Sequence, residues 1–256
     1  YFIAKKHIES DELNFNYGVL LYSTEEFSEA LSPLRSYIIN NPFDFDILVI
    51  LGEIFFKENR YSEAIDTYTR LIDMNPTNKY YYNQIAESYL ILENYKEAKK
   101  YFLKVLSFDE EDTDVLFKLG KISNVLKEFA ESESFFLESI YCNHISKDLL
   151  FQLGLSLGAQ KKYLQALGVF KEALQYSLED PILHYQLGVI YQELEIFDLA
   201  IQSYKKYLMS FPNDAIVYRL IGESFFNLDN YLEAIEYLEQ SSKLYNKKDT
   251  QSIYLI

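Results

Sequence analysis

The chain has 256 residues, 49% of them apolar and 17% Phe or Tyr, with a formal charge of −15. That composition supplies ample core and excludes a disordered segment. So acidic a chain repels phosphate backbones, which argues against nucleic acid and anionic membrane surfaces as partners and leaves basic protein segments open.

Residues 1–10, YFIAKKHIES, resemble the end of a helix such as Tyr101-Phe-Leu-Lys-Val-Leu and read as the remnant of a preceding repeat, so the native N-terminus is expected upstream. Seven units of 34 residues follow without a gap: 11–44, 45–78, 79–112, 113–146, 147–180, 181–214 and 215–248. Position 8 of the unit is small throughout: Gly18, Gly52, Ala86, Gly120, Gly154, Gly188 and Gly222. Position 20 is Ala except for Ser132, and position 17 is Phe or Tyr in every unit. Position 24 is Leu, Tyr or Phe, and position 7 is Leu, Ile or Tyr. A fixed period of this length marks a stacked repeat array.

Positions 4, 7, 8 and 11 share one helical face, as do 17, 20, 24, 27 and 28. Each unit is therefore predicted to hold helix A over about positions 2–14 and helix B over about 17–30, paired as an antiparallel hairpin. The small residues let the two backbones approach, and the large residues at 17 and 24 fill the space beside them. Pro42, Pro76 and Pro212, at position 32, end helix B because proline lacks an N–H and clashes with a continuing helix. Residues 249–256 read as the start of a capping helix or an eighth repeat.

This pattern resembles the tetratricopeptide repeat family over residues 11–248, with Trp, frequent in the family, absent from position 4. The resemblance implies an all-α, right-handed superhelical solenoid of antiparallel hairpins. It also implies a concave groove lined by helices A and a role in protein–protein interaction.

Chemistry is hard to find. His7, His144 and His184 lack metal-ligand spacing, and Cys142 with His144 gives at most two ligands where zinc needs three or four. No phosphate-binding loop, dinucleotide fingerprint or nucleophile elbow occurs. No cofactor, metal or catalytic residue is expected. The lone cysteine gives no evidence of an oxidising compartment, and no stretch approaches a membrane span, so direct membrane insertion is not expected. Cytoplasmic is the default location.

The remaining candidate is the stripe at positions 2, 5, 9 and 12 of helix A, set apart from the face on helix B. Its candidate partner-binding residues are Phe15, Tyr22, Val49, Glu53, Phe56, Asn83, Glu87, Leu90, Phe117, Phe151, Leu155, Tyr185, Val189, Arg219 and Phe226. One family subset grips acidic chaperone tails with Lys and Asn here; position 5 lacks that succession, so this ligand is not implied. The expected partner is a protein or peptide carrying apolar and basic residues. The alternatives are self-association within a larger assembly, or a substrate-recognition arm of an enzyme outside these residues.

Overall fold

The computed structural model describes residues 2–253, with side chains described over 10–245. Fourteen helices and no strand occur among them. They are α1 (Phe2–Ser23), α2 (Phe27–Asn40), α3 (Phe45–Lys57), α4 (Tyr61–Met74), α5 (Lys79–Ile91), α6 (Tyr95–Leu106), α7 (Thr113–Val125), α8 (Phe129–Tyr141), α9 (Lys147–Ala159), α10 (Tyr163–Gln175), α11 (Pro181–Glu193), α12 (Phe197–Ser210), α13 (Ala215–Asn227) and α14 (Tyr231–Ile253). Odd helices are the A helices and even helices the B helices, in the expected register.

The chain forms two compact units, 1–126 and 127–256, divided at the turn of the fourth repeat. In the first, α1/α2, α3/α4 and α5/α6 pair as hairpins, and each B helix packs on the following A helix, ending at α7. In the second, α8 packs on α9, and the hairpins α9/α10, α11/α12 and α13/α14 follow in the same manner.

The hairpin core is built as the small positions imply. A Cβ added at Gly188 would lie 2.5 Å from the Tyr204 ring, and one at Gly154 equally close to Phe170. Position 8 is thus the seat of the side chain at position 24, and Tyr68, Phe102, Phe136, Phe170 and Tyr204 are almost fully buried.

The turns have a specific chemistry. Position 15 adopts positive φ in every repeat, at Glu25, Asn59, Glu93, Lys127, Lys161, Glu195 and Asp229. In α11, for example, the Ile196 N–H donates to the Tyr191 carbonyl and the Glu195 N–H to the Gln192 carbonyl. This pair of bonds is the Schellman motif, which satisfies carbonyls the helix end leaves open. Helices A start on a side-chain cap at position 34 of the preceding repeat: Asp44, Asn78, Asp112, Ser146, Asp180 and Asp214 each accept a backbone N–H. Where His144 replaces the proline, Asn143 takes positive φ and closes α8 with the same two bonds.

Both terminal helices run across an expected boundary. α1 continues through residues 10 and 11, and α14 through 248 and 249. At the second of these, Asn246 stands in place of proline and Lys248 in place of a cap, so nothing stops the helix. The expectation for residues 254–256 lies outside the described residues.

Candidate functional site

The A-helix stripe is not separate from hairpin packing. Position 5 rings lean on helix B of their own repeat: Phe15 meets Tyr37 at 5.3 Å, Phe151 meets Phe170 at 6.0 Å, and Tyr185 meets both Tyr204 and Tyr207. Position 12 rings cover position 17: Tyr22 on Phe27, Phe56 on Tyr61, and Phe226 on Tyr231. A long ring reaches across the edge of a face, so a stripe drawn from helical angles overlaps the neighbouring one. Of the fifteen expected residues, Arg219 and Phe226 are exposed and the rest are half-buried. Each half-buried side chain therefore both packs and keeps an accessible edge.

In the first unit, the Tyr22 hydroxyl on α1 donates to Glu53 on α3, and the Tyr80 hydroxyl on α5 stands 3.5 Å from the other Glu53 oxygen. The hydrogen bond to Glu53, with burial, pushes the Tyr22 phenol up to about 12. Burial likewise raises Tyr80. Glu87 is bound by Lys118 of α7, which also reaches Asp114. Burial pulls the Lys118 ammonium down, but these hydrogen bonds outweigh it and hold its pKa above the usual value. Lys121 lies over the Phe117 ring at 5.2 Å. Val49 and Phe56 pack against the apolar core, while Asn83 and Leu90 sit half-buried on α5.

In the second unit, Arg219 pairs with Glu223 one turn along α13. Beside the stripe is a cavity of about 250 Å³, lined among others by Leu155, Gly158, Tyr163, Phe170, Val189 and Ile190, with Gln186 and Glu193 as polar groups. Gly158 opens it: a Cβ there would meet only Ile190 Cδ1, at 3.4 Å. Among the described residues no group of three His, Cys, Asp or Glu side chains is placed to hold a metal, and no helix is long and apolar enough to cross a membrane.

Several participants lie off the expected set. Lys118 is at position 6 and Tyr68 is a core residue at position 24, while Tyr80 stands on the stripe at position 2 but is not among the fifteen candidates. Tyr80 did carry a signal, being the one aromatic among Glu12, Asp46, Asp114, Asp148, Ile182 and Ile216.

Two family models, each described as tetratricopeptide repeat, match residues 16–79 and 151–215, and residues 80–112 and 216–248, more than half of the chain in all. The chain belongs to the tetratricopeptide repeat family. Among curated proteins there is no significant match. Among solved structures, the tetratricopeptide repeat protein YrrB, described as having an unusual peptide-binding site, is 19% identical, with a TM-score of 0.62 over 69% of this chain and 91% of its own. MamA is 20% identical, with a TM-score of 0.61 over 65% of this chain and 97% of its own. A MamA fragment from Desulfovibrio magneticus RS-1 is 19% identical, with a TM-score of 0.63 over 67% and 97%. These similarities show the fold. Tetratricopeptide arrays generally mediate protein–protein interaction.

Proposed function

We propose that this tetratricopeptide protein is a scaffold that holds a peptide segment of a partner along its A-helix stripe, without catalysis by these residues. The observation that carries this is the half-exposed apolar and aromatic side chains on the A helices within each unit, with the notch at Gly158 in the second. Contiguous apolar surface left accessible marks an interaction site. A cavity of about 250 Å³ is below the size of a small-molecule site and suits one bulky apolar side chain.

The test is a selection of random peptides on the full chain, followed by affinity measurements on variants. Phe56→Ser, for a selected peptide held by the first unit, or Gly158→Leu, for one held by the second, is expected to weaken binding by tenfold or more, about 2 kcal/mol for a hot-spot contact. Helicity by circular dichroism is expected to hold. Leu164→Ser, on the outer face of α10, is expected to change nothing. If outer-face changes abolish binding while both stripe variants retain it, the groove is not the working surface.

A second reading, self-assembly, rests on the end helix, where Leu232 and Ile235 of α14 are exposed. A mass that rises with concentration and falls back in Leu232→Ser with Ile235→Ser would favour it.

A further inference from the structure

The acid edge of the stripe is not uniform. Glu87 pairs with Lys118 and Glu223 with Arg219, so each of these carboxylates already has a cation. Glu53 differs: among the described residues no Lys or Arg pairs with it, and its partners are the Tyr22 and Tyr80 hydroxyls. Both phenols direct their proton at the carboxylate. What they offer outward is oxygen lone pairs and ring faces.

Two more polar atoms in this neighbourhood are unsatisfied. The fully buried Tyr68 has a hydroxyl that makes no hydrogen bond, with the Tyr80 phenol beside it. The Tyr68 ring meets Tyr80 edge-on at 6.1 Å, and burial first, then Tyr80, Glu53 and Tyr22, push its phenol up. In the sixth repeat the equivalent Tyr204 hydroxyl donates to Gln192, at stripe position 12, at 3.0 Å; in the second repeat that position is Phe56, which has nothing to accept with. The Gln84 Oε1 atom, one turn along α5 from Tyr80, is buried and unpaired as well. Buried polar atoms are ordinarily satisfied, and those that are not call for a missing partner.

The cluster therefore has a surplus of acceptors, a negative charge without a counter-ion, and aromatic faces. We propose that Glu53, Tyr22, Tyr80, Tyr68 and Gln84 form a receptor for one arginine side chain of a partner peptide. This rests on the groove reading above. Guanidinium is planar, donates through five N–H groups to several separated acceptors at once, and stacks on aromatic rings; ammonium donates three and is a compact point charge.

The probe is Nα-acetyl-arginine N-methylamide, titrated into the isotope-labelled full chain and followed by backbone amide shifts. Saturable shifts are expected at Tyr22, Glu53 and Tyr80, with the dissociation constant rising at least tenfold in Glu53→Gln and measurably in Tyr80→Phe. Circular dichroism checks that each variant is folded; should Glu53→Gln not fold, Tyr80→Phe decides. The lysine analogue should bind several-fold more weakly, and the norleucine analogue should not shift these amides. Absence of saturation, an unchanged constant in the variants, or equal binding of the lysine analogue overturns the arginine assignment. An arginine-containing selected peptide that needs Phe56, in the same unit, but is indifferent to Glu53→Gln would sink this proposal and leave the groove standing.

Discussion

At Gly18, Gly52, Gly154, Gly188 and Gly222 an aromatic or leucine side chain occupies the space a Cβ at position 8 would fill, whereas the third repeat has Ala86 there. Tyr204 is fully buried and held on all sides, so Gly188→Leu has no room to relax into. Overpacking of this kind costs about 1–3 kcal/mol or more, and a lowered denaturation midpoint is expected. Gly168 is the control: nothing lies within 4 Å of an added Cβ, so Gly168→Ala should stabilise α10 by up to about 1 kcal/mol. Position 4 has a different logic. His184 is buried with Nε2 3.0 Å from the Leu178 carbonyl. A carbonyl only accepts, so Nε2 carries the proton of the neutral ring. Burial lowers the His184 pKa, with the Leu178 bond partly opposing. The unfolded chain then binds a proton more readily than the folded one in the window below about 6.5. Stability from this group is complete above that value and falls as pH drops through the window. Tyr82, at the same position, donates its hydroxyl to the Pro76 carbonyl at 3.1 Å. His184→Tyr should therefore keep the bond and lose part of the acid sensitivity, read as a smaller difference between urea midpoints at pH 7.5 and 5.5 than in the parent chain.

At the scale of the element, helix type and register were legible because five positions of the repeat recur with one spacing. Boundaries were legible where chemistry is explicit, as at Pro42, Pro76 and Pro212. The caps at position 34 were equally visible in Asp44, Asn78, Asp112, Ser146, Asp180 and Asp214, and their absence at Lys248 explains why α14 runs on. The left-handed residue at position 15 was not legible, since no glycine stands there. Glu, Asn, Lys and Asp take it instead, held by the two Schellman bonds that its own N–H and the next residue's N–H donate. A side chain in that conformation costs about 1–2 kcal/mol, while glycine adds about 0.5–1 kcal/mol of unfolded-state entropy. Glu195→Gly is thus expected to raise stability by about 0.5–1 kcal/mol, and equal or lower stability would show that the turn holds glutamate without strain.

For the whole molecule, the sequence placed the stripe but not its coverage. Helical spacing says that Phe151 and Leu155 share a side; it does not say that the Phe151 ring rests on Phe170, or that Lys118, off the stripe, neutralises Glu87. Those depend on how far a side chain reaches between helices, which no period encodes. Charge is the property that survives this averaging. A net −15 sets up an attractive field for a basic segment well before contact, and Glu53 adds a local focus without its own cation. The Debye length shortens from about 10 Å at 0.1 M salt to about 3 Å at 1 M, so this steering is screened while short-range apolar contacts are not. For an arginine-containing peptide selected on the full chain, stopped-flow association is therefore expected to slow by about tenfold between 0.05 and 0.5 M salt, with dissociation changing much less. In Glu53→Gln the salt slope should shrink only slightly, because the rest of the acidic surface remains, while dissociation quickens. A salt-independent association rate would mean that the acidity does not recruit the partner, leaving it the other role open to it, keeping an aromatic-rich array from associating with itself.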